Sequence, residues 1–299
     1  MKNKKRIFVT GGSGFLGWNL IHFLAEKYDL WCIRNTSPLP NDVRLNTVPL
    51  DLKKTDSIYK ALSDVHPDVV VHLAAVSRTD TCRKNPELAE QINIRATKEI
   101  LKSLLPKQTR FIYISTDLVF NGIKGNYKED VEPNPKMVYG ETKLHAESLV
   151  RSWGENHVIL RLALMYGKGS PSHKSFINWM EKGLSEGRVH LFSDEFRTPL
   201  YVNDAVVGIF RLLETDFCGT MHLGGSQRCS RYDFGLEFCR QTGMDKNAII
   251  KISQKEAGSD MYRPPDVSLD SSLAKKILKL RTKNIREGIR DYLYEKRNI

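Results

Sequence analysis

The chain has 299 residues, with 46 Lys and Arg against 35 Asp and Glu, and hence a formal charge of +11 at pH 7. Its 40% hydrophobic and 27% charged residues are those of a folded globular protein, which excludes a disordered, collagenous or coiled-coil chain. The length suits one large or two small domains, and no apolar run reaches the roughly 18–20 residues of a membrane span.

In chain order, residues 6–10 read as a strand that runs straight into glycines. The basic stretch before it is therefore not followed by the apolar core of a signal peptide, and a cytoplasmic location is expected. Residues 15–26 read as a helix, 30–34 and 46–50 as strands, and 57–63 as a short helix. The apolar run at 68–73 is a strand, and 86–105 is a helix with Pro at an early position that needs no N–H. A strand at 110–115, a helix at 138–153 and a strand at 158–162 complete the first half. Continuous apolar strands alternating with helices predict an α/β fold: a Rossmann-type doubly wound parallel sheet, with ligands at the carboxyl ends of its strands. From Gly167 the pattern loosens, with helices at 175–186, 203–213 and 230–242 between irregular segments. Residues 1–166 are expected to form the dinucleotide-binding domain. Residues 167–299 are expected to form most of a smaller, mixed substrate-binding region, with roughly 188–213 returning to the first domain.

The five cysteines form no CxxC pair, so neither a metal site nor a disulfide framework is expected. The cations are dispersed. The densest clusters, residues 2–6 and 275–283, read as solvated faces, and no aromatic–basic platform marks a nucleic-acid partner.

The chemistry concentrates in three places. Thr10-Gly11-Gly12-Ser13-Gly14-Phe15-Leu16-Gly17 follows the first strand and opens the first helix. Gly11 permits the tight turn, Gly14 lets the backbone approach a pyrophosphate, and Gly17 lets the helix pack on the strand. Ser13, Phe15 and Leu16 complete that cradle. About 20 residues on, where NAD-preferring sites carry a carboxylate, stands Cys32-Ile33-Arg34-Asn35. Arg34 can pair with a 2′-phosphate, so NADP(H) is favoured over NAD(H). Finally, Tyr139 and Lys143 stand four residues apart on one helix face. A nearby ammonium would lower the tyrosine pKa from about 10 and make Tyr139 an acid or base near neutral pH. The strand at 110–115 ends in Ser115-Thr116-Asp117, where hydroxyls can hold a substrate carbonyl.

Together these residues resemble the extended short-chain dehydrogenase/reductase family over nearly the whole chain. Asp51-Leu52, His72-Leu73-Ala74-Ala75, Asn93, and Arg161 followed by Tyr166-Gly167 carry the likeness further. The resemblance implies that Asp51 and Leu52 flank the adenine, that Leu73, Ala74 and Ala75 line the cofactor cleft, and that Asn93 supports the central helix. It also implies that Thr116, with Ser115 beside it, binds the substrate oxygen. Tyr139 would donate the proton, and Lys143 would bind the nicotinamide ribose. Within the family the chain is most like the dTDP-4-dehydrorhamnose reductases. The carriers are Ser-Thr-Asp-Leu-Val-Phe-Asn-Gly at 115–122, Glu132-Pro133, Thr198-Pro199, and Arg263-Pro264 followed by Ser268-Leu269-Asp270. The implied reaction is hydride delivery to C4 of a nucleotide-linked 4-keto deoxysugar. Asp117 would contact the sugar, and Arg197 and Arg263 would meet the substrate phosphates. A homodimer through residues 86–105 and 138–153 is also implied.

Leu118, Val76 and the absence of a Trp from residues 162–166 depart from the family at positions that face the sugar. Two other readings stay open. One is a sugar-nucleotide 4-epimerase or dehydratase of the same family. The other is a non-catalytic NADP-binding subunit similar to the methionine adenosyltransferase beta subunit.

Overall fold

The computed structural model describes residues 4–258 and 262–297. Parts of the cluster at 2–6 and of the charged tail at 295–299 lie outside them. Seven parallel strands form the central sheet in the order β11-β6-β5-β4-β1-β2-β3. These are β1 (Arg6–Thr10), β2 (Asp29–Arg34), β3 (Asn46–Pro49), β4 (Val69–His72), β5 (Arg110–Thr116), β6 (His157–Leu162) and β11 (Gly219–Leu223). From β1 the chain first builds outward through β2 and β3, then returns to add β4 on the other side. The carboxyl ends of β1 and β4, at Thr10 and His72, therefore flank the point where strand order reverses, and a crevice opens there.

Side chains alternate across each strand, so successive residues feed two cores. Ile7, Val9, Val69 and Val71 face α1 (Phe15–Leu24) and α8 (Val202–Leu213), which supply Leu20, Ile21, Leu24 and Ile209. Phe8, Val70, Phe111 and Tyr113 face α2 (Asp56–Val65), α5 (Ala96–Lys102) and α6 (Val138–Trp153), with Ile58, Leu62, Ile100 and Val150. Both faces being covered, the strands carry near-continuous apolar runs. A third core joins α7 (Phe176–Ser185), α9 (Arg231–Thr242) and α11 (Ile285–Arg297) around Ile177, Met180, Phe234, Phe238 and Ile289. Among the described residues no helix is long and apolar enough to cross a membrane.

Several expectations need correction. Residues 188–213, expected to return to the first domain, divide between two settings. β8 (Val189–Phe192) pairs with β13 (Ile249–Ile252) in the smaller region, and only α8 packs back, against α1. Beyond it β11 forms the seventh strand, which the sequence reading left out. Gly219, Thr220 and the buried His222 break up its apolar pattern. The predicted helix at 86–105 is α4 (Pro86–Glu90), a π-helical turn at Gln91–Arg95, and α5, and it ends at Lys102. A short helix, α3 (Thr79–Lys84), was also missed, because Cys82 is its one buried residue.

Candidate active site

The glycine turn sits at the crevice. Gly11 has φ of +72°, and a Cβ there would come within 2.7 Å of the Ala74 nitrogen. At Gly17 a Cβ would lie 2.2 Å from the Gly11 carbonyl, so α1 and the end of β1 approach as closely as they do only because residue 17 has no side chain. Helix α1 starts after Gly14 with no side-chain cap and no acidic residue in its first turn. Its first N–H groups and positive dipole end are thus open to an anion, which fits a dinucleotide pyrophosphate. Beneath the turn, the Thr10 hydroxyl accepts from the Leu73 and Ala74 amides at 3.2 and 3.1 Å and bonds His72 Nδ1 at 2.6 Å. The Thr97 hydroxyl donates to the Asn93 carbonyl, so it accepts from His72 Nε2 at 2.9 Å. This makes Nδ1 the acceptor for Thr10. Burial, with the Lys143 charge, pushes His72 down to about 3 and keeps it neutral.

A cleft of about 780 Å³ runs from this turn to the smaller region. It brings together Gly11, Ser13, Gly14, Phe15, Leu16, Gly17, Asp51, Leu52, Leu73, Ala74 and Ala75 with Ser115, Thr116, Asp117, Tyr139, Lys143, Arg197 and Arg263. Arg34 and Asn93 do not line it. Arg34 is exposed and lies on an adjoining shallow pocket with Lys54 and Ser57, which shares Asn35, Leu50 and Asp51 with the cleft. Asn93 is buried in the π-helical turn, a geometry often found near functional sites. Its Oδ1 accepts from the Val76 amide at 2.8 Å, and its Nδ2 donates to Thr142 of α6 at 3.0 Å, so it ties the loop after β4 to that helix.

At the center of the cleft, Tyr139 begins α6 and Lys143 follows one turn later. The expected lowering of the tyrosine pKa is not found. Burial raises Tyr139 well above its usual value, and Asp117 and Cys82 push the same way; only Thr116 opposes them. Lys143 is itself buried, which pushes it down to about 7 against the pull of Glu147. Tyr139 therefore holds its proton at neutral pH. The Thr116 hydroxyl bonds Asp117 Oδ1 at 3.1 Å and accepts from the Leu118 amide at 3.2 Å. The Ser115 hydroxyl lines the cleft but donates to Glu147 at 2.6 Å. Sequence reasoning missed Glu147, although its spacing of four from Lys143 was the available signal. It is fully buried and also accepts from Arg161 at 2.9 and 2.7 Å and from Arg151 at 2.6 Å. Burial raises its pKa, but Arg161, Ser115 and Arg151 together outweigh burial and hold the carboxyl below the usual range.

The far end of the cleft holds a cluster only partly expected. Arg197, Arg231 and Arg263 converge on the buried Glu195 at 3.0, 3.4 and 3.6 Å. Glu195 and Arg231 were not singled out in the sequence. Arg197 is more committed than anticipated, since it also donates to the Phe196 and Pro264 carbonyls at 2.6 and 3.1 Å. Arg231 and Arg263 are held more loosely and are less buried. Asp117 nearby is raised by burial against the pull of Arg197, and its Oδ2 has no hydrogen-bond partner.

A glycine-turn dinucleotide cradle and a Tyr-x-x-x-Lys pair facing one cleft define an NAD(P)-dependent enzyme of the extended short-chain dehydrogenase/reductase class. The chain belongs to the RmlD substrate binding domain family, whose model matches residues 5–298. It is 32% identical over 270 residues to the probable low-salt glycan biosynthesis reductase Agl14 of Haloferax volcanii, covering 89% of each chain. It is 26% identical over 297 residues to the methionine adenosyltransferase 2 subunit beta of Xenopus tropicalis, covering 97% of this chain and 87% of that protein. Among solved structures, dTDP-4-dehydrorhamnose reductase from Bacillus anthracis in complex with NADP superposes with a TM-score of 0.86 at 25% identity, over 98% of this chain and 99% of that one.

Proposed function

We propose that this protein is an NADPH-dependent reductase of a nucleotide-linked 4-keto deoxysugar. The observation that carries the reading is that Thr116, Tyr139 and Lys143 face the cleft that the glycine turn opens and that Glu195 and its three arginines close. In this reading residues 1–166 form most of the cofactor domain and residues 167–299 most of the substrate region. The first turn of α1 holds the pyrophosphate, Asp51 and Leu52 flank the adenine, and Arg34 meets the 2′-phosphate, since no carboxylate follows β2. When bound, reduced nicotinamide supplies the hydride to the sugar C4. The Tyr139 hydroxyl, protonated at neutral pH, hydrogen-bonds the keto oxygen and gives it a proton as negative charge develops. Thr116 positions the same oxygen, and Lys143, near neutrality, returns a proton toward Tyr139. Arg263 and Arg231 face the substrate diphosphate, with Arg197 bracing them through Glu195. The reading includes a homodimer through the outward faces of α4–α5 and α6, which the mass in solution tests.

Replacing Tyr139 by Phe removes the proton and little else. Turnover of a 4-keto nucleotide sugar should be abolished while NADPH binding survives; normal turnover would refute the assignment. A second reading, a cofactor-binding regulatory subunit, is supported by the relation to the methionine adenosyltransferase beta subunit. It predicts no turnover in the unsubstituted protein and saturable binding to a methionine adenosyltransferase. An epimerase or dehydratase would leave NADPH unconsumed.

A further inference from the structure

Lys143 is buried, and a buried ammonium needs a stabilizing partner. Of the charged groups, Glu147 favours the ammonium only in part. Glu147, one turn on along α6, is already committed to Arg161, Arg151 and Ser115, so its charge is largely balanced. Arg161 on β6 repels a cation. His72 on β4 is neutral, Cys82 on α3 is held as a thiol by burial, and Tyr139 keeps its proton. Asp117 after β5 is raised by burial and pulled by Arg197 and Arg231.

One group remains. Tyr113 of β5 is fully buried, and its ring centroid lies 3.9 Å from the Lys143 ammonium nitrogen. The Tyr113 hydroxyl has no hydrogen-bond partner, so the ring rather than the phenol oxygen makes the contact. Burial holds that phenol neutral, which leaves its π-face as the electron-rich surface under the cation. We propose that the Tyr113 ring is the seat of the Lys143 ammonium: a positioning residue whose π-face, not its hydroxyl, decides how readily Lys143 carries its proton. Burial pushes the lysine down to about 7 against the pull of Glu147, and the ring under the ammonium acts in the same direction as that carboxylate.

The direct test is an NMR titration of the Lys143 ε-carbon in protein labelled with ¹³C-lysine, assigned with Lys143→Arg. Its activity arm rests on the proposed reductase; the titration does not. The midpoint should lie near 7 in the unsubstituted protein and stay there in Tyr113→Phe. In Tyr113→Leu it should fall by about one pH unit, the size expected for a desolvated cation–π contact. Should Tyr113→Leu fail to fold, 3,4,5-trifluorophenylalanine at position 113 keeps the shape and drains the π-face, and should lower the midpoint similarly. With a dTDP-linked 4-keto-6-deoxysugar as probe, the pH profile of kcat should move with the midpoint while KM for NADPH changes little. The proposal is overturned if the Leu and trifluoro variants keep the midpoint in place, or if Tyr113→Phe shifts it as far as they do. Absence of turnover in the unsubstituted protein would refute the reductase reading, and the titration would still decide this inference.

Discussion

Replacing Glu147 by Leu should be among the most damaging single changes in this fold. The substitution leaves the Arg161 guanidinium, 2% exposed, without the two short bonds that now hold it; among the described residues its remaining neighbours are His222 Nε2 at 3.2 Å and the Phe120 ring, whose centroid lies 5.2 Å from its Cζ. Removing one partner of a buried ion pair costs about 3–5 kcal/mol. The Arg151 arm adds little, since that side chain is 40% exposed and such i, i+4 pairs contribute about 0.3–0.5 kcal/mol. The Ser115 hydroxyl loses its acceptor as well, at a cost of roughly 1 kcal/mol. Urea unfolding reads the loss directly. Combining Glu147→Leu with Arg161→Met should recover most of it, because an apolar pair of similar volume replaces the ionic one. The deficit also depends on pH with a definite sign. Glu147 titrates below its ordinary 4.5, so its contribution is complete above that pH and fades as the pH falls below it. The gap between the original protein and the single variant should therefore narrow in acid. A single-variant loss under about 1 kcal/mol, or a double variant as unstable as the single, would show that Arg161 does not depend on Glu147 for its burial.

Arg34→Ala should weaken NADPH at least tenfold more than NADH, the loss expected for about 1.5 kcal/mol or more of charge-assisted hydrogen bonding. Equal losses in a binding titration would remove Arg34 from the 2′-phosphate. Gly17→Ala would set a methyl group 2.2 Å from the Gly11 carbonyl, so NADPH affinity should collapse while circular dichroism stays near that of the original; an unchanged affinity would contradict the turn's role. Burial depresses His72 to about 3 and His222 to about 4, so the unfolded chain takes up protons first, near pH 6.5. Stability should fall between pH 6.5 and 4 by up to about 1.4 kcal/mol per pH unit for each histidine. A urea midpoint that stays flat from pH 7 to 5 would rule this out.

The parts of the site that were legible in the sequence are those written locally. The glycine turn joins a strand to the helix it opens, and Tyr139 and Lys143 are one helical turn apart, so spacing alone fixes their relation. The apolar runs of β1, β4 and β5 announce a buried parallel sheet for the same reason. What escaped depends on contacts between distant segments. Glu147 looks like an ordinary polar position until β6 brings Arg161 against α6. Glu195 and Arg231 are 36 residues apart and meet only when the smaller region folds over the cleft. The direction of the Tyr139 shift was misjudged because it depends first on the burial of the phenol itself and then on Asp117 and Cys82 beside it, none of which spacing reveals.

The proposed reaction delivers a hydride and a proton in this cleft to a 4-keto nucleotide sugar. The measurement that tests it most directly is NADPH oxidation, followed at 340 nm, across a panel of 4-keto nucleotide sugars, with Tyr139→Phe in parallel. Stoichiometric NADPH consumption with formation of the 4-hydroxy sugar is expected, with its loss in the variant. No oxidation with any member of the panel, or full oxidation by Tyr139→Phe, would contradict it.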